Sequence, residues 1–373
     1  MADAETQIPG QATGGRSISS LDGLRAVSIA LVLLAHSYGT RGFPAWIPEY
    51  LTNHGQLGVQ IFFVISGFLI TTLLLREMAE TGRVSLGLFY ARRTLRIVPP
   101  CYLFLAVMGV MAWLGIFWIP LKDFLFDITY TVNYGSNGWM TGHLWSLSVE
   151  EQFYLVWPIT MKLAGQRRAL WIAGTLAIVA PLVLLIVYFL NPPLSYRVRP
   201  YFPLIADPIA AGCFLAYILS WLRSQPIYRL FAARAGDIVI PIIFLLDFGR
   251  DHPRIHYALT ETALNLCICY AIVRYTEFPR GFVGRLLNRP VPSFVGRLSY
   301  SLYLWQQVFV NPYLAGVVQA FPINLAATFG CALASYYLVE KPLSGIRKRL
   351  QPRFHNVRAR SEANEGLNPL RAG

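Results

Sequence analysis

Apolar runs of about 17 to 25 residues recur along this chain, and they limit its fold more than any other feature. A helix rises about 1.5 Å per residue, so each run is long enough to cross the roughly 30 Å of a bilayer's hydrocarbon. Within hydrocarbon the backbone must satisfy its own polar groups, which leaves helices or a closed barrel. The runs lie near residues 21–39, 57–75, 97–119, 144–164, 169–190, 201–222, 235–248, 257–273, 293–314 and 322–340, the seventh being short. Residues 123–134 are too short and too polar to cross and are expected to lie at the surface or re-enter. With 55% apolar and 14% charged residues and a mean hydropathy of +0.46, the chain departs from a soluble domain, where about a quarter of residues are charged. The expected fold is all-α: a polytopic transmembrane helical bundle of about ten spans.

Charge gives an independent check on that count, because cytosolic loops are enriched in Lys and Arg. With ten spans and the N-terminus inside, 26 of the 32 basic residues fall on the inner side. Arg41, Lys122, Arg197, Arg199, Arg250 and Arg254 fall on the outer. Both termini are therefore expected in the cytosol. The net charge of +13 is spread between apolar runs rather than gathered in a stripe, which argues against a nucleic-acid partner. Residues 1–17 lack the apolar core of a signal peptide and read as a disordered cytosolic lead. Residues 18–345 form the membrane domain, and 346–373 a basic cytosolic tail. No internal repeat suggests a duplicated transporter core. The five cysteines sit in apolar segments without metal or redox spacing, so they read as core residues and no metal site is expected.

Ionisable residues inside a membrane are costly unless paired or lining a cavity. Ten residues separate Arg25 from His36 in the first run, about 16 Å along a helix. Taken alone, the pair fits a snorkelling anchor with an interfacial ring as well as a base at depth. Glu150 and Glu151, adjacent near the start of the fourth run, point about 100° apart on a helix. One can face a cavity and orient a histidine; equally, a glutamate here can cap free N–H groups. Arg92, Arg93 and Arg96 open the third run, with Arg92 and Arg93 spaced to share a helical face with Arg96. Their guanidinium forks suit phosphate, although positive-inside topology alone also puts arginines there. Gly58, Ser66 and Gly67 in the second run allow close helix approach or leave room for a thin apolar chain.

In their order and spacing, these motifs resemble the acyltransferase-3 family of integral membrane acyltransferases over about residues 18–345. The resemblance rests on Leu21-Asp22-Gly23-Leu24-Arg25-Ala26 with His36, on Gly58 to Ile70, on Arg93 and Arg96, and on Trp145 to Tyr154. Gly296 to Trp305 and Val339-Glu340-Lys341-Pro342 complete it. It implies transfer of a short acyl group, usually acetyl, from cytosolic acyl-CoA to a hydroxyl. His36 is implied as catalytic base, Glu150 as its partner carboxylate, and Arg25, Arg93 and Arg96 as donor-side and structural cations; by position, Arg92 is expected to join them at the donor phosphates and Glu151 to serve as a second carboxylate for His36. The implied partners are membrane lipid, acyl-CoA and a carbohydrate or small-molecule acceptor: a polysaccharide, lipid-linked sugar, peptidoglycan or secondary metabolite. A homo-oligomer is compatible with the pattern, and a bacterial inner membrane is the implied location. In two respects the chain departs from the family. Many relatives carry histidine where this chain has Gln306, so no proton transfer is assigned there. Some carry a C-terminal extracytoplasmic domain, in place of which this sequence ends in a basic tail, so acceptor binding falls to the membrane domain or to a separate protein. A transporter or flippase for a sugar or lipid is the alternative, with Asp207 as its coupling carboxylate.

Overall fold

The computed structural model describes residues 19–135, 138–226, 228, 236–279 and 281–350. The expected lead 1–17 and all of the tail beyond residue 350 lie outside the described residues. Among the described residues the regular structure is entirely helical. Four stretches are long and apolar enough to cross a membrane: Ser19–Ser37, Glu49–Thr81, Leu86–Trp113 and Trp139–Leu190. The principal helices are α1 Ser19–Ser37, α2 Gly55–Thr81, α3 Leu86–Trp113, α4 Leu144–Leu190, α5 Asp207–Ser224, α6 Val239–Asp247, α7 Glu261–Glu277, α8 Pro290–Phe309, α9 Ile323–Ser335 and α10 Lys341–Arg349. Wide π turns, His256–Thr260 and Tyr336–Glu340, lead into α7 and α10.

The 47 residues of α4 would extend about 70 Å if straight, more than twice the hydrocarbon thickness. The helix instead breaks at Gly165, whose φ of 77° and ψ of 167° suit a residue without a side chain. Contacts with α5 show that the chain reverses there. Trp157 packs edge-on against Tyr217, Gly174 lies beside Phe214, and Leu184 shares a cleft with Asp207 and Arg199. Residues 166–190 thus climb back past α5, so one glycine separates the two apolar runs expected from the sequence.

The polar stretch 123–134 folds against α4. After a short helix, Leu121–Ile128, the chain passes beside α4, where Gln152 Nε2 donates to Tyr130 O and Asn133 Oδ1, both at 2.8 Å. Gln152 is two turns into α4, about 12 Å beyond its start, and supplies bonds that irregular backbone at this depth would otherwise lack.

α1 packs between α2 and α8, and α2 packs against α5. The second contact depends on two glycines facing opposite helices. A Cβ on Gly67 would lie 1.9 Å from the Ile209 carbonyl oxygen, and one on Gly212 would lie 2.1 Å from that of Val64. Without a hydrophobic drive between helices in lipid, such backbone approach is a main source of association. Two turns earlier on the same face of α2, Gln60 Nε2 donates to Asn265 Oδ1 at 2.7 Å, and Asn265 Nδ2 donates to Asp207 Oδ2 at 2.7 Å. Asp207 is therefore a buried tie between α5 and α7. The five cysteines are unpaired.

Gly67→Val must push backbone against backbone, so we expect it to cost at least about 1–3 kcal/mol. Gly330→Ala, where nothing lies within 4 Å of the added carbon, should be neutral or gain up to about 1 kcal/mol from helix propensity. The fraction of monodisperse protein surviving a heating series in detergent would compare them; equal survival would contradict the packing argument.

Candidate active site

Five helices surround a cavity of about 230 Å³ in the middle of the bundle. α1 contributes Arg25; α2 contributes Phe62, Ser66 and Leu69; α3 contributes Arg93 and Arg96. α4 contributes Ser146, Glu150 and Tyr154, and α8 contributes Ser299, Tyr300 and Tyr303. At its Arg25 end it adjoins a polar cavity of about 290 Å³, with which it shares Arg25, Leu69 and Arg96. Arg297, Lys341 and Arg347 add three more cations there, and Glu340 a carboxylate that accepts from Ser301. Burial, and then the nearby charge of Arg93, pull the Arg347 guanidinium below its ordinary pKa. So crowded a set of cations favours a bound anion.

Arg93 stands at the centre. Its guanidinium lies 3.6 Å over the Tyr154 ring, with Nη2 4.0 Å from Glu150 Oε2 and Nε 3.8 Å from Glu151 Oε1. Glu150 also accepts from Ser66 at 2.8 Å and from Tyr154 at 3.2 Å. The divergence expected of adjacent helical residues is realised: Glu150 lines the cavity, while Glu151 lines a separate groove of about 710 Å³ with Tyr130 and Gln152. Because α4 begins at Leu144 and carries no acid in its first turn, neither glutamate is a cap.

Two expectations are corrected by the geometry, and a third is resolved. Neither glutamate orients His36, because both are turned to Arg93. Arg92 is absent from the lining of both cavities; its Nη2 pairs with Glu77 at 3.1 Å, and Glu77 also accepts from Ser85 N at 2.8 Å, so Arg92 fastens the turn between α2 and α3. Small residues of α2 divide their roles: Gly58 and Gly67 serve packing, while Ser66 serves the cavity.

His36, at the end of α1, lies just outside this cavity lining. Its Nδ1 is 2.8 Å from Gln306 Oε1, and its ring meets Trp139 edge-on with centroids 5.4 Å apart. The cavity's own end is closed by Ser146 Oγ and Tyr303 Oη, 2.6 Å apart, while Tyr303 O–H donates to the His143 carbonyl at 2.6 Å. His143 is in turn set between Gln307 Oε1 at 2.9 Å and the Leu304 carbonyl at 3.1 Å. Sequence reasoning did not select Gln306, His143, Tyr303, Arg297, Lys341 or Arg347. All but Arg347 sit in or beside the motifs quoted above, and Tyr303 and Gln306 are three apart, hence on one helical face.

Residues 18–340 match the sequence model of a family described as an acyltransferase domain. Among named relatives, a Staphylococcus aureus (strain COL) protein provisionally named O-acetyltransferase is 29% identical over 88% of this chain and 57% of its own length. The peptidoglycan O-acetyltransferase of Listeria monocytogenes is 26% identical over 87% of this chain and 56% of its own. The chain thus spans little more than half the length of these relatives. No solved structure matches it.

Removing the cation shared by Glu150 and Glu151 leaves two neighbouring carboxylates partly buried together. Arg93→Met should destabilise by about 2–3 kcal/mol, below the range for fully buried pairs because these side chains keep some exposure. Adding Glu151→Gln should recover part of that loss. Thermal unfolding of the single and double variants tests the coupling, which additive effects would disprove.

Proposed function

The chain belongs to the acyltransferase domain family, and from that premise we propose that it is an integral membrane O-acyltransferase. It moves a short acyl group, acetyl in the first instance, from cytosolic acyl-CoA to a hydroxyl of a sugar or other acceptor at the membrane or its outer side. The observation that carries this reading is the adjacency of the two central cavities, which share Arg25, Leu69 and Arg96: five cations line the pair at the Arg25 end, apolar side chains of α2 line the inner one, and His36 stands at the opposite end of α1. Both termini are assigned to the cytosol of a bacterial inner membrane, with about ten spans, in keeping with the bias of basic residues.

Arg25, Arg96, Arg297, Lys341 and Arg347 hold the phosphates of the donor by charge-assisted hydrogen bonds. The pantetheine arm lies along the apolar passage past Phe62 and Leu69, covering about the 16 Å between Arg25 and His36. Arg93, held by two carboxylates and an aromatic face, shapes the wall and leaves phosphate binding to the outer cations. At the far end the acceptor hydroxyl gives its proton to His36 as its oxygen attacks the thioester carbonyl. The tetrahedral intermediate collapses, the C–S bond breaks, and the CoA thiolate leaves, taking a proton.

His36→Ala should slow transfer from labelled acetyl-CoA by at least ~100-fold, the usual worth of a positioned base, with acetyl-CoA affinity retained. The Arg96→Ala, Arg347→Ala double variant should instead weaken acetyl-CoA binding by about tenfold or more, since each charged hydrogen bond contributes about 1.5–3 kcal/mol. Mass spectrometry of acylated product and calorimetry of donor binding separate the two. Near-parental transfer by His36→Ala would remove its assignment as base, and sugar or lipid flux without acyl-CoA consumption would favour a transporter.

A further inference from the structure

His36 is held by a side chain 270 positions away. Gln306 is fully buried on α8, the helix that packs along α1. Its Oε1 lies 2.8 Å from His36 Nδ1, while its Nε2 has no partner in the protein. The next residue repeats the device on another ring: Gln307 Oε1 accepts from the His143 backbone N at 3.2 Å and lies 2.9 Å from His143 Nδ1. α8 thus sets two successive amides against two histidines. An amide oxygen can only accept, so Nδ1 of His36 must carry its hydrogen. In the neutral ring that leaves the lone pair on Nε2. Trp139, edge-on at 5.4 Å, hinders rotation of the ring.

We propose that Gln306 is the positioning residue for His36: its amide oxygen fixes the Nδ1–H tautomer and so turns Nε2 into the proton acceptor. This rests on the reading of His36 as base. A carboxylate in the same place would fix the same tautomer but would also stabilise the protonated ring, keeping it protonated to higher pH. An uncharged amide orients the ring without that penalty, and suits a bundle whose nearby carboxylates are already turned to Arg93. Around His36, α8 presents Gln306, the turn before α4 presents Trp139, α2 brings Gly55 against Ala35, and the titratable neighbour is His143.

The test is CoA release from labelled acetyl-CoA by the full chain in membrane vesicles that carry its acceptor, across pH. Gln306→Met, close in size but unable to accept, should lower kcat at least ~tenfold while acetyl-CoA affinity stays within about twofold of the parent. Gln306→Glu should keep most of the activity at high pH, with the acidic limb of kcat/KM moved up by about 1–2 pH units as the new carboxylate stabilises the imidazolium. Parental rate and pH limb in both variants would overturn the proposal. So would loss of activity at every pH in both, which would mean that the amide hydrogens matter and not the oxygen. If Gln306→Met fails a thermal-unfolding check, the pH limb of Gln306→Glu decides alone. Activity surviving His36→Ala would instead remove the reading beneath the proposal, an outcome independent of either Gln306 variant.

Discussion

One guanidinium governs the centre of this bundle. Adjacent carboxylates repel, and in a low-dielectric interior two of them on one helical turn call for a cation between them. Arg93 meets that need for Glu150 and Glu151 together, and covers the Tyr154 ring with its face. Lysine offers no planar face to stack while its edges reach two acids. Because the two glutamates diverge, the cation they share also forms the wall between two spaces, the central cavity on one side and the Glu151 groove on the other. Electrostatic necessity and cavity architecture are here the same contact.

With that wall fixed, the route through the protein follows from helix direction. α1 and α8 run side by side, so residues early in both, Arg25 and Arg297, flank the basic cavity, and residues late in both, His36 and Gln306, meet at the opposite end. α3 enters from the basic end and α4 from the histidine end. Arg96 therefore belongs to the first set, Ser146 to the second, and Arg93 and Glu150 meet between them.

The sequence made legible whatever depends on short range. Hydropathy gave the apolar runs, and helical periodicity gave the divergence of Glu150 from Glu151. Other features depended on partners that no local pattern encodes. Arg92 and Arg93 are neighbours with the same chemistry, yet one is taken by Glu77 and the other by the cavity, and only the packing of α2 and α4 against α3 distinguishes them. The cations Arg297, Lys341 and Arg347 looked like ordinary positive-inside residues until folding gathered them around Arg25. Gln306 was legible only as a departure from a family pattern, because its meaning lies in a ring at the other end of the sequence. Gly165 carried no signal separating it from other glycines, since a reversal within one turn needs φ above zero but no special neighbours.

Another histidine in this molecule shows why the chemistry of the partner matters. His54, just before α2, has its Nδ1 2.6 Å from Asp247 Oδ2, and Asp247 is also bound by Arg250. That ring is part of a hydrogen-bonded tie between α2 and α6, a contact that resists separation of the helices. His36 has an almost identical contact distance, but to an amide. At His54 the acceptor on Nδ1 is a carboxylate, and at His36 it is an amide. The two contacts share one geometry, since both acceptors are carbonyl-type oxygens on Nδ1. What differs is the free energy of the protonated ring, and on that quantity the role proposed for His36 as base depends.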